Sequence, residues 1–345
     1  MIKAVAMLFL AITLLFGCNS LHQKQQPVKI IFDTDMGSDC DDAGALALLH
    51  VYADRGKAEI LSCNYSSGKI CYGVGIIDAI NTYFGRPDIP VGADYETDIG
   101  DPKDKMRAEW LLGNFDFGND IVKNSDATEQ TKLNREILLR QKNNSVTYLT
   151  VGHTNGLYEL LVSEPDEISP LSGKELIHKK VKCWVAMGGL EANNQDCIYT
   201  KDWNFFRNGT APSTAFLVKN FPKPFYIVAT GSDIFTGKSL LETPENNIIR
   251  KAYETWLENT TNQTLSDQRP SWDLIGVYYA VIGLGEYLQR EEPGYLDFDT
   301  GKGAIWIRGK NEKQHHFILT KKEKKKDFEA YLNEMIATQP SEKIK

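Results

Sequence analysis

Residues 28–49 read VKIIFDTDMGSDCDDAGALALL, and the rest of the chain is best understood outward from them. Ile30 to Phe32 is an apolar run of the composition that fills buried strands. It empties into five carboxylates within ten residues, Asp33, Asp35, Asp39, Asp41 and Asp42, and an Ala/Leu-rich helix follows at once. Sharing one loop at neutral pH without a counter-charge, these groups would repel one another strongly. A hard divalent cation is the economical explanation, and the loop reads as half of a metal site.

Three rival readings fail on the residues. A calcium hand shares the DxDxxxD spacing but needs Gly at its sixth position and Glu at its twelfth. Counted from Asp33 those positions hold Ser38 and Gly44. Phosphatases of the haloacid-dehalogenase type also end a strand in DxD, with Thr or Val close behind, whereas Met36 and Gly37 follow here. A solvated turn capping a helix through Asp41 or Asp42 needs one carboxylate, and five exceed that role.

Further strand-like runs occur at Ile60 to Tyr65, Val146 to Val151, Val181 to Met187 and Pro224 to Ala229. Helical periodicity separates them at Asp42 to Ala53, Tyr72 to Phe84, Thr128 to Gln141, Asn155 to Val162 and Ser213 to Asn220. This alternation predicts an α/β fold with a mostly parallel central sheet and helices on both faces. In such sheets ligands bind outside the carboxyl ends of the strands, where the acidic run falls. After Gly231 the spacing predicts helices over Asn246 to Glu258 and Asp273 to Tyr287. LDFDTGKGAIWIRG and KQHHFIL then alternate as a hairpin would, and a closing helix covers Lys325 to Ile336.

The N-terminus, MIKAVAMLFLAITLLFGC, has one Lys and an apolar stretch from Ala4 to Phe16, too short for a comfortable span and of the length of an export signal. Its LFGC ending resembles a bacterial lipoprotein signal, in which Cys18 becomes the lipidated first residue; an ordinary signal peptide cut nearby, or a short anchor, is the alternative. The expected organisation is a leader over 1–18, a polar tether over 19–27, one domain over 28–338 and a frayed tail over 339–345. The protein is thus expected in the bacterial cell envelope, held to a membrane by its lipid on the periplasmic or outer face. A formal charge of −7 argues against a nucleic-acid partner, and the basic run from Lys321 to Lys326 reads as a solvated helix start. Cys40, Cys63, Cys71, Cys183 and Cys197 form no CxxC pair and are odd in number, so neither a zinc cage nor a complete disulfide framework is indicated. Cys63 and Cys183 belong to core strands, and Cys40 is a spacer in the acidic loop.

With strand, DTDxG, adjacent Asp pair and AxAL helix in place, the chain resembles the inosine-uridine preferring nucleoside hydrolase family. That family opens on DxDxGxDDxxA, matched here by Asp33, Asp35, Gly37, Asp41, Asp42 and Ala43, with two extra residues between Gly37 and the pair. Either Asp39 or Asp41 can therefore take the role of the first Asp of the pair, and Asp41 is favoured because it abuts Asp42. VTYLTVGHTNGLYELL at 146–161 is similar to the family's strand, turn and helix. AMGGL at 186–190 with DWN at 202–204 is similar to its MGG and EFN segments, and SWD at 271–273 falls where it has HD opening a late helix.

The resemblance implies Ca²⁺-dependent hydrolysis of the N-glycosidic bond of ribonucleosides. It assigns Asp35, Asp42, Asp273 and the Val151 carbonyl to the metal, Asp41 to the general base with Asp39 as alternative, and Asp33 to orienting the loop from behind. Asn204 and Asp202 would read the ribose, with Asn194 or Asn193 in the preceding loop as weaker candidates. Asp202 is one methylene shorter than the family's Glu, and a DxN turn cap is its plainer role. Trp272 stands where many members place a His that protonates the leaving base. Indole N–H only hydrogen-bonds, so Trp272 stacks on a purine, another acid serves, or the ring simply packs; His153 is a substitute to test. Many relatives are homo-oligomers, but no segment here marks an interface. The competing class is a lipid-anchored protein that captures a ribosyl compound through Ca²⁺ without cleaving it, or a hydrolase of another riboside.

Overall fold

Ile30, Ile31 and Phe32 are fully buried, as a strand covered on both faces requires. The computed structural model describes residues 26–94, 98–190, 198–310 and 313–341. Its strands in chain order are β1 (Val28–Thr34), β2 (Ala58–Tyr65), β3 (Val91–Ala93), β4 (Thr128–Glu129), β5 (Val146–Thr150), β6 (Val181–Met187), β7 (Phe225–Val228), β8 (Phe235–Thr236), β9 (Arg269–Pro270), β10 (Leu288–Arg290), β11 (Gly294–Asp299), β12 (Gly303–Arg308) and β13 (His315–Thr320). The α-helices are α1 (Asp41–Asp54), α2 (Gly73–Tyr83), α3 (Ala108–Asn114), α4 (Gln130–Arg140), α5 (Asn155–Val162), α6 (Gly173–Lys180), α7 (Ala211–Asn220), α8 (Ile248–Thr261), α9 (Asp273–Ile282) and α10 (Lys325–Ile336).

Nine strands form the central sheet in the order β10-β13-β7-β6-β5-β1-β2-β3-β4, parallel throughout except for the antiparallel edge strand β10. From β1 the chain runs outward through β2, β3 and β4, then returns to place β5 on the other side of β1. That reversal makes the carboxyl ends of β1 and β5 the topological switch point, where open α/β sheets bind ligands. One core lies between the sheet and α1, α2, α8, α9 and α10, and a second between the sheet and α4, α5, α6 and α7. Helix α1 is buried from Asp41 to Tyr52, which explains why its sequence is apolar on every side rather than on one stripe.

The sequence expectations match the main strands and helices, though β3, β4 and α3 were not foreseen, and three further differences stand out. Helix α9 stops at Ile282, because Gly283 takes φ 77° and turns the chain, so the predicted extension to Tyr287 is not helical. The segment KQHHFIL does not join the hairpin: β11 and β12 pair with each other, while β13 runs parallel to β7 inside the central sheet. Helix α6, unmarked by the apolar spacing, is carried by a capping box in which Ser172 and Glu175 satisfy each other's backbone N–H groups. Cys63 and Cys183 are buried and Cys40 ends the acidic loop, all as free thiols. Among the described residues no helix is long and apolar enough to cross a membrane. Cys18, the leader, Asn193 and Asn194 lie outside the described residues.

Candidate active site

The carboxyl end of β1 continues straight into the acidic loop, so its aspartates are delivered to the switch point by the strand itself. Helix α1 begins at Asp41 with no side-chain cap of its own. Instead the Asp41 carboxylate reaches across to α9, where its Oδ2 accepts hydrogen bonds from the backbone N–H of Trp272 at 2.9 Å and of Asp273 at 3.2 Å. An anion at a helix N-terminus is favourable, and this one ties two stretches more than 200 residues apart in the chain. The cap foreseen as the plain role of this Asp exists, but it closes α9 rather than α1.

Carboxylate oxygens of Asp41, Asp42 and Asp273, all buried, come within 4.8 Å of one another. Asp42 also accepts from the Thr34 hydroxyl at the end of β1. One oxygen of Asp273, Oδ1, is buried with no hydrogen-bond partner among the described residues. Asp35 belongs to an adjoining group with Asp101 and His153. His153 Nε2 lies 2.9 Å from Asp101 Oδ2 and 3.4 Å from Asp35 Oδ2. The two groups feel each other, since burial first and then the Asp42 and Asp101 charges push the Asp35 carboxyl well above the usual range.

The same physics acts on the whole cluster. Burial, with the neighbouring carboxylates second, drives Asp42 and Asp273 far up. Asp41 is pushed up to about 7, by burial and by the Asp39 charge, against the pull of Arg269 and the two α9 amides. Asp33, behind the loop, also reaches about 7, chiefly through burial; it accepts from Gln130 Nε2 at 2.7 Å and from the Tyr148 hydroxyl at 3.0 Å. Asp39, which also lines the site, is tied into an ion pair with Arg269, whose guanidinium lies 4.4 Å from the Trp256 ring and 5.2 Å from the Trp272 ring.

Above the carboxylates opens a cavity of about 510 Å³. Its lining brings together the five acids Asp35, Asp39, Asp41, Asp42 and Asp273 with Val151, Asp202, Asn204 and Trp272, all singled out from the sequence. Asn204 Nδ2 donates to the Val151 carbonyl at 2.6 Å and lies 3.4 Å from that of Met187, pinning the amide across the ends of β5 and β6. Asp202 accepts from the N–H groups of Asn204 and Phe205 at 3.2 and 3.3 Å, so it does cap the DxN turn while also facing the cavity. Burial moves its carboxyl up to about 6. Trp272 is half-buried and lines the cavity, so it is not a core ring. His153 is fully buried between Asp101 and Asp35 and is not among the lining residues, which removes it as a substitute acid facing a leaving group.

Sequence reasoning missed Asp101, Arg269 and Gln130. Asp101 sits in an Ile-Gly-Asp-Pro turn that carries no signature of its own, yet it holds His153 and accepts from Trp203 Nε1 at 2.5 Å. Arg269 did carry a signal, as the single cation just ahead of SWD, the segment expected to approach the acidic loop.

No protein-family model matches the chain, and no curated protein matches it. Solved structures do. A plant nucleoside hydrolase superposes with a TM-score of 0.64 at 16% identity, covering 90% of this chain and 99% of its own. A purine-preferring ribonucleoside hydrolase from Gardnerella vaginalis gives 0.61 at 17% identity, covering 90% and 98%. The type III effector protein XopQ, solved with adenosine diphosphate ribose, gives 0.59 at 12% identity, covering 93% and 95%. The chain therefore has the α/β fold seen in nucleoside hydrolases.

Proposed function

We infer that the protein hydrolyses the N-glycosidic bond of ribonucleosides to free base and ribose, with Ca²⁺ held at the carboxylate cluster. The observation that carries this reading is the convergence of Asp41, Asp42 and Asp273, from opposite ends of the domain, at the switch point of the sheet. The residues fit the ion. Their donors are hard oxygens, and the partnerless Asp273 Oδ1 is a buried acceptor awaiting a positive charge. Asp35, Asp42, Asp273 and the Val151 carbonyl, which keeps a lone pair beyond the one given to Asn204, would hold it. Such a cation supplies positive charge to two sugar hydroxyls and acidifies water beside it.

The chain's own groups account for the remaining chemistry. Asp41, fixed by two amides and titrating near neutrality, takes the proton of the attacking water. The ion pair of Asp39 with Arg269 favours Asp41 over Asp39 in that role. As the C1–N bond stretches, positive charge grows on the pentose and the surrounding carboxylates stabilise it. Asn204 and Asp202 read the sugar, Trp272 offers an aromatic face to the base, and Asp33 keeps the loop aimed from behind. The leader reading is kept as well: Cys18 carries the lipid, the bacterial envelope is the location, and a homo-oligomer is the expected assembly. Cys18→Ala should move the protein from the membrane to the soluble fraction, and unchanged membrane retention would remove the anchor from this reading.

A second reading, capture of a ribosyl compound or cleavage of a different riboside, is favoured by one feature. Among the described residues no His, Cys or Tyr lines the cavity, so the imidazole that would protonate a departing base is missing there and only carboxyls and lysines such as Asp202, Lys105 and Lys201 are left to donate. A structural neighbour solved with adenosine diphosphate ribose points the same way. A panel of purine and pyrimidine ribosides, assayed in excess Ca²⁺ and again with chelator, separates the readings. Base release that chelator abolishes is expected; binding of ribosides with no cleavage after long incubation would favour capture.

A further inference from the structure

The cavity is electrically divided. Its floor is the carboxylate cluster, while Lys105, Lys201 and Arg207 stand among the same lining residues. Arg269 is paired with Asp39, but none of these three lies within salt-bridge distance of a carboxylate among the described residues. Lys201 feels Asp299 at longer range, and its Nζ lies 4.8 Å from the Phe206 ring. They are nevertheless positioned. The Lys105 backbone is pinned by its N–H to the Gly37 carbonyl at 3.0 Å and by Asn259 Nδ2 on its own carbonyl at 3.0 Å. Arg207 Nε donates to the Lys201 carbonyl at 3.2 Å, which couples those two cations in one turn. Between them stands Trp203, with Lys105 Nζ 5.1 Å and Arg207 Cζ 5.7 Å from its ring and its own Nε1 held by Asp101. A neutral nucleoside brings no negative charge to three cations that have no carboxylate partner among the described residues, whereas a phosphate accepts charge-assisted hydrogen bonds from each.

We propose that the ligand is a phosphorylated riboside, its pentose over the carboxylates and its phosphate against Lys105, Lys201 and Arg207. This rests on the hydrolase reading for the pentose end and goes beyond it in the substrate class. The phosphate can be a 5′-monoester or part of a diphosphate, and the two sources are separated by comparing inosine 5′-monophosphate with adenosine diphosphate ribose.

The test is kcat/KM of the full-length Ca²⁺-loaded protein on inosine, inosine 5′-monophosphate and adenosine diphosphate ribose, alongside calorimetric binding of ribose and ribose 5-phosphate. At least one phosphorylated compound should exceed inosine by about 10-fold or more, chiefly through KM, with the gap shrinking at high salt. Lys201→Gln with Arg207→Gln should cut that ratio by roughly 10-fold or more, and Lys201→Arg should retain it. Equal kcat/KM for inosine and both phosphorylated compounds, or a ratio untouched by the double variant, overturns the proposal. If no compound is cleaved, the hydrolase reading fails by itself. Tighter binding of ribose 5-phosphate than ribose, abolished in the double variant, would then still support the anion subsite, and equal binding would overturn it.

Discussion

Asp41 shows how one side chain can serve structure and chemistry through its two oxygens. Oδ2 closes the N-terminus of α9, and the carboxyl as a whole stands beside Asp42 and Asp273. Asn at this position keeps an oxygen for the two amides but cannot accept a proton. Asp41→Asn is therefore expected to lower turnover by roughly 10³-fold while Ca²⁺ affinity falls far less. Asp39→Asn loses the Arg269 ion pair instead and should cost much less; an equal loss in Asp39→Asn would assign the base to Asp39. Steady-state kinetics with a Ca²⁺ titration of both variants decide between them.

At the scale of elements, the site depends on how closely β5 approaches β1. A Cβ on Gly152, just past β5, would lie 2.3 Å from the backbone nitrogen of Asp35 and 2.6 Å from the carbonyl carbon of Thr34. Backbone atoms cannot step aside as a side chain can, so the extra methyl has to push apart the two strand ends that carry Asp35 and the Val151 carbonyl. Gly152→Ala should destabilise the fold by about 1–3 kcal/mol and depress turnover further than that loss explains. Gly113, inside α3, has open space around the same added atom. Gly113→Ala should be neutral or stabilising by up to about 1 kcal/mol, as helix propensity alone dictates. Thermal melts of both proteins provide the comparison, and a Gly152→Ala protein as stable and active as the parent would count against so tight a junction.

The whole molecule stores repulsion in its interior. Asp33 and Asp41 sit at about 7 and Asp202 at about 6, and burial with the neighbouring charges also raises Asp35, Asp42 and Asp273 well above the roughly 4 of an ordinary Asp. Between those limits the folded chain binds more protons than the unfolded one, so stability is fullest below about pH 4 as far as these groups are concerned and is lost as pH rises through about 7. With chelator, the melting temperature should drop by roughly 5 °C or more between pH 5 and pH 7.5. Millimolar Ca²⁺ should restore it at pH 7.5, where the carboxylates are available to the ion. A flat profile in chelator, or no response to Ca²⁺, would contradict the reading of the cluster as a cation site.

Residues 28–49 alone determined that a buried strand delivers carboxylates to the start of a buried helix, because composition and period report burial directly. The α/β alternation and the acidic loop were legible for the same reason, whereas Asp273 was reached only through the resemblance of SWD to a family segment. What only the tertiary structure decided are the partnerships made across distance. Asp41 caps α9, Arg269 takes Asp39, Asp101 holds His153, and three cations share a cavity with the carboxylates. Local sequence encodes what a segment prefers to bury. It does not encode which distant group meets each charge, and here that choice is made by the order in which the strands return to the sheet.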